Sequence, residues 1–128
     1  MFEVSISLTF SAAHRLPGYP GDCSRLHGHN WRVVVSVRAR ELDELGMVAD
    51  FRAVKEDARK VIAELDHTLI NDHPDFRDSD PSSEALARWI FERLRPALDA
   101  GNHRLCAVEV WETDNSGARY EPTEPVEI

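Results

Sequence analysis

A chain of 128 residues has single-domain length, so one domain spanning residues 1–128 is expected, large enough to bury a substantial core. A hydrophobic content of 42% with 30% charged residues excludes a disordered chain, and a formal net charge of −8 argues against a general nucleic-acid binder. Met1-Phe2-Glu3-Val4 has no basic, apolar leader character and no apolar run nears the ~20 residues of a bilayer span, so a cytoplasmic protein with no membrane partner is expected. Cys23 lies in a polar stretch and Cys106 in an apolar one, a pattern that reads as two unrelated reduced thiols.

Phe2, Val4, Ile6, Leu8, Phe10 and Ala12 alternate with polar residues, a period of two that predicts a half-buried antiparallel strand. His14 keeps the parity of the apolar set and is expected to face inward. Residues 15–25, rich in Pro and Gly, read as a loop. A second strand carries Trp31, Val33, Val35, Val37 and Ala39 on one face, and His27 and His29 share that odd parity. Asp50 is the expected N-cap of a helix whose apolar stripe is Phe51, Val54, Ala58, Val61, Ile62 and Leu65. Pro81-Ser82-Ser83-Glu84 opens a second helix, with Leu86, Trp89, Ile90, Leu94 and Leu98 inward, Pro96 bending its last turn and Gly101 as its stop. Residues 105–113 and 118–121 read as two further strands around an Asp114-Asn115-Ser116-Gly117 turn. The order ββααββ predicts an α+β fold: a four-stranded antiparallel sheet with two helices on one face, its other face and edges covered by oligomerisation.

Three histidines with inward parity on one hairpin are the strongest chemical signal. His14, His27 and His29 could supply three imidazole nitrogens to one ion, leaving a fourth position open, and an all-imidazole set favours Zn2+. Around them the residue types leave alternatives open. Cys23 reads as an incidental loop residue, a fourth ligand, or a nucleophile or base with a lowered pKa. Asp66-His67 reads as a simple helix terminator or a working pair. Ser82, Ser83 and Glu84 are first of all helix-start residues. Glu112 shares the parity of Cys106, Val108 and Val110, and a carboxylate on an apolar face needs a partner.

These segments, in this order, resemble the 6-pyruvoyl-tetrahydropterin synthase superfamily, most closely its bacterial 6-carboxy-tetrahydropterin synthase branch. The resemblance rests on Phe10-Ser11-Ala12-Ala13-His14-Arg15-Leu16-Pro17, Cys23-x-x-x-His27-Gly28-His29, Asp50-Phe51 with Lys55, and Leu65-Asp66-His67. Asn71-Asp72, Pro81-Ser82-Ser83-Glu84 and Trp111-Glu112-Thr113 complete it. It implies a tunnelling fold (T-fold), in which subunits close a barrel as trimers and two trimers stack into a homohexamer with active sites between subunits. It also implies zinc on His14, His27 and His29, a catalytic Cys23, and a catalytic Asp66–His67 pair supplied by the neighbouring subunit. Glu112 becomes the pterin anchor, with Thr113, Ser82 and Ser83 as further substrate-binding residues.

The implied reaction converts 7,8-dihydroneopterin triphosphate to 6-carboxy-5,6,7,8-tetrahydropterin, acetaldehyde and triphosphate, feeding 7-deazapurine and queuosine synthesis. The rival within the family is the pyruvoyl branch, which eliminates triphosphate without carbon–carbon cleavage. Outside it stand a zinc hydrolase and a non-catalytic zinc-stabilised oligomeric module, and the latter leaves Cys23, Asp66, His67 and Glu112 without a task.

Overall fold

The computed structural model describes residues 1–128, except for the side chain of Cys23. Strands β1 (Phe2–His14) and β2 (His27–Ala39) form a long antiparallel hairpin, followed by helices α1 (Phe51–Ile62) and α2 (Ser83–Leu98) and strands β3 (His103–Thr113) and β4 (Ser116–Tyr120). The sheet order is β1-β2-β3-β4, all antiparallel, so the ββααββ architecture is the expected one. None of the helices is long and apolar enough to cross a membrane.

Parity explains the core. Ile6, Leu8, Phe10 and Ala12 of β1 lie opposite Val35, Val33, Trp31 and His29 of β2, so even positions of one strand and odd positions of the other share a face. Against that face pack Val54, Ala58 and Ile62 of α1 and Leu86, Ile90, Leu94 and Leu98 of α2, all buried. Asp50 caps α1 by accepting from the Arg52 N–H at 2.9 Å, and Ser82 caps α2 by accepting from the Ala85 N–H at 3.1 Å. Helix α2 runs through Pro96 to Leu98, and Gly101, at φ +56°, turns the chain toward β3.

Three expectations are corrected. Phe51 opens the apolar stripe of α1 yet is 52% exposed, because the first turn of the helix overhangs the edge of the sheet beside Phe2 and Leu42. Cys106 does not share the face of Val108. Ser36 pairs with Ala107 but Val37 pairs with Leu105, so Cys106 is the extra residue of a β-bulge and turns to the opposite face. There its thiol donates to the Ser36 carbonyl at 3.2 Å, and burial pushes its pKa up to about 11. Finally, Ser116 and Gly117 belong to β4, pairing with Thr113 and Trp111, so the β3–β4 turn is Asp114-Asn115 alone. Gly117 is needed there because a Cβ would stand 2.3 Å from the Trp111 ring.

Candidate metal centre and active site

His14 and His27 face one another as the last pair of the β1–β2 ladder, and His29 sits two residues back on the same face. One ligand nitrogen from each lies within 4.8 Å of the others, close enough to share one ion. The three rings stand edge to face at 4.5, 4.8 and 5.2 Å between centroids. Trp31 forms their floor at 4.8 Å from His14 and 4.9 Å from His29, itself anchored by an indole N–H donated to the Ala12 carbonyl at 3.1 Å.

The hydrogen bonds behind the rings decide which nitrogens are free. His14 Nδ1 lies 2.8 Å from the Pro81 carbonyl and His27 Nδ1 lies 2.7 Å from the Arg25 carbonyl. A carbonyl oxygen only accepts, so both Nδ1 atoms carry the proton and both Nε2 atoms present a lone pair. Nε2 of His14 and Nε2 of His29 are buried without any hydrogen-bond partner. Burial also holds both imidazoles below the ordinary histidine range, keeping them neutral. Orphaned, neutral, convergent imidazole nitrogens, with main-chain carbonyls fixing the tautomers, fit a bound divalent cation.

Glu112 stands at the rim of this cluster. Trp111 pairs with Gly117 and Thr113 with Ser116, which leaves Glu112 as the extra residue of a second bulge in β3. The Ser83 hydroxyl donates to its Oε1 at 2.7 Å, so the carboxylate has a partner within the chain, supplied by the first turn of α2. Its Oε2 is 3.9 Å from His29 Nε2, too long for a hydrogen bond, and with His29 neutral the contact is no ion pair. One oxygen is therefore held and the other remains available, on a side chain 28% exposed. The adjacent serines divide their work: Ser82 caps the helix and Ser83 grips Glu112. Thr113 lies exposed at the turn, its hydroxyl accepting from the Asn115 N–H at 3.2 Å.

Asp66 and His67 follow the end of α1 and run alongside the free edge of β1. Asp66 Oδ1 accepts from the Ser11 N–H at 3.0 Å and lies 2.9 Å from His67 Nδ1, and the His67 N–H donates to the Ser11 carbonyl at 2.6 Å. His67 takes φ +59°, a left-handed conformation that costs a non-glycine residue energy. The result is an imidazole braced by a carboxylate, its side chain 80% exposed, over a cavity of about 410 Å3 shared with Ser11, Thr68 and residues 28–30. It is not brought onto the three-histidine cluster of its own chain. Cys23 lies in a 3-10 turn (Asp22–Ser24) of the loop before His27, and its side chain lies outside the described residues.

Sequence reasoning missed the supporting groups. The Pro81 and Arg25 carbonyls carry no residue-type signal, because every residue has one. The Ser83–Glu112 bond was hidden behind the helix-start reading of the serines. Asn71, noted only as part of a motif, bonds to the main chain of Arg15.

Residues 3–123 match the family described as 6-pyruvoyl tetrahydropterin synthase. The chain is 41% identical to the 6-carboxy-5,6,7,8-tetrahydropterin synthase of Synechocystis sp., covering 94% of this chain and 93% of that protein. It is 36% identical to the Bacillus subtilis protein of the same name, covering 94% and 86% respectively. Among solved structures, the 6-pyruvoyl tetrahydropterin synthase of Caenorhabditis elegans superposes with a TM-score of 0.86 at 26% identity, covering 95% of this chain and 96% of that one.

Proposed function

The chain belongs to the 6-pyruvoyl tetrahydropterin synthase family, and from that premise we propose that it is a 6-carboxy-5,6,7,8-tetrahydropterin synthase. It converts 7,8-dihydroneopterin triphosphate and one water to 6-carboxy-5,6,7,8-tetrahydropterin, acetaldehyde and triphosphate in the cytoplasm, as a step toward 7-deazapurines and queuosine. The observation that carries an enzymatic reading is the cluster of His14, His27 and His29, with unprotonated Nε2 atoms on the first two. The carboxy branch is favoured because the relatives that bear its name reach 41% and 36% identity, against 26% for the superposed pyruvoyl enzyme.

In this reading His14, His27 and His29 hold Zn2+, which when bound supplies Lewis acidity toward the hydroxyls of the substrate side chain. Glu112, one oxygen held by Ser83, offers the other to the guanidine-like edge of the pterin and so fixes the ring. Cys23 serves as the base for side-chain protons. His67, braced by Asp66, relays protons on the opposite side of the substrate.

A single domain of residues 1–128 carries only part of each site. An imidazole beside a carboxylate, 80% exposed, is open to a neighbouring molecule. That supports a homohexamer of two stacked trimers, in which His67 completes the site of a neighbouring subunit. The deciding experiment is to incubate zinc-loaded protein with 7,8-dihydroneopterin triphosphate and analyse the products by mass. Acetaldehyde and the 6-carboxy product are expected. Loss of triphosphate with all side-chain carbons retained would move the chain to the pyruvoyl branch, and no turnover with intact zinc binding would refute the enzyme.

A further inference from the structure

We propose that Asn71 is a positioning residue for the metal centre, fastening the end of the strand that delivers His14; this rests on the metal reading above. His14 and His27 form the last pair of the β1–β2 ladder, with a twelve-residue connection beyond them. The last pair of a ladder is where strands fray, so a ligand set placed there needs an anchor. Asn71 supplies one. Its Oδ1 accepts from the Arg15 N–H at 2.9 Å and its Nδ2 donates to the Arg15 carbonyl at 2.9 Å.

Two bonds to one residue's main chain reproduce the exchange made by a hydrogen-bonded pair in an antiparallel ladder. The side-chain amide thus acts as one further rung, placed on the residue that follows His14. It also ends a longer run of bonds along the free edge of β1. Ser11 bonds to Asp66 and His67, Ala13 donates to the Thr68 carbonyl at 3.0 Å, and Arg15 is clamped by Asn71. Fully buried Ile70 pins the turn that presents Asn71. The same segment that exposes His67 therefore holds the backbone of His14.

The test uses the full chain and Co2+ as the metal probe. Asn71→Ala should keep the wild-type circular dichroism spectrum, bind Co2+ about 10- to 100-fold more weakly, and shift its visible d–d bands at saturation. Asn71→Asp, which keeps the acceptor and drops the donor, should fall between, and it carries the same reading should Asn71→Ala not fold. Asp99→Ala, which removes the acceptor of the Leu105 N–H beyond α2, should lower Tm while leaving Co2+ affinity and spectrum unchanged. In the metal-free wild type, hydrogen exchange should find the Arg15 amide protected like that of Ala13. Wild-type affinity and bands in Asn71→Ala, equal metal loss in Asp99→Ala, or an unprotected Arg15 amide would overturn the positioning role. Wild-type protein that takes up no Co2+ would instead overturn the metal reading itself.

Discussion

Ser82 and Ser83 are adjacent, chemically identical and assigned to different tasks, so replacing each with alanine separates stability from binding. Ser82→Ala removes the acceptor of the Ala85 N–H, an N-cap whose loss costs about 1 kcal/mol. Unfolding entropy scales at roughly 2.1 cal/mol/K per residue, so for 128 residues that cost lowers Tm by about 4 °C. Ser83→Ala breaks a 2.7 Å bond to a carboxylate instead. Bonds to charged groups contribute about 1.5–3 kcal/mol, but Glu112 is 28% exposed, and water can replace part of what is lost. A net loss of about 1 kcal/mol in orienting Glu112 corresponds to roughly fivefold weaker pterin binding.

The assay pairs differential scanning calorimetry with titration of neopterin against intrinsic tryptophan fluorescence. Ser82→Ala should lose Tm with little change in pterin affinity, and Ser83→Ala should do the reverse. Equal pterin affinity in Ser83→Ala and wild type would refute the grip on Glu112. Weakened pterin binding in Ser82→Ala without a loss of Tm would refute the capping role and make Ser82 a direct contact.

Gly117→Ala forces a methyl group against the Trp111 ring and should destabilise the fold by about 1–3 kcal/mol, read as a lower midpoint in urea unfolding; an unchanged midpoint would contradict that packing. In a Cys23→Ala variant the remaining thiol, Cys106, has a pKa raised to about 11, so only about a thousandth of it is thiolate at pH 8. Iodoacetamide should leave it unlabelled until urea unfolds the chain, and rapid native labelling would contradict its burial. Mixing His27→Ala and His67→Ala chains, each expected to be inactive alone, should restore about a quarter of wild-type activity after co-refolding, because one site in four pairs an intact cluster with an intact neighbouring His67. No recovery would place His67 and the cluster in one chain's site.

What could be read from the residues follows from how each feature is encoded. The hairpin and the shared face of His14, His27 and His29 were legible because alternation over thirteen-residue strands leaves a single register compatible with a buried face. Bulges were not, because one inserted residue changes facing without changing composition. Parity put Cys106 beside Glu112, whereas the bulge at Cys106 turns it to the other face. Glu112 sits in a second bulge, yet it still reaches Ser83. Phe51 failed for a different reason: periodicity reports which side of a helix is apolar, not how far the sheet beneath it extends.

The supporting shell of the candidate site was illegible on principle. Pro81 and Arg25 fix the tautomers of His14 and His27 through carbonyl groups, which no side-chain pattern encodes. Asn71 acts through an amide that substitutes for a strand, and its partner is 56 positions away in sequence. The same edge of β1 supplies the main-chain bonds that set Asp66, His67 and Asn71 in place. That shared edge ties the two halves of the proposed chemistry together. The strand that carries His14 at its end also carries, three residues earlier, the main-chain bonds that hold Asp66 and His67.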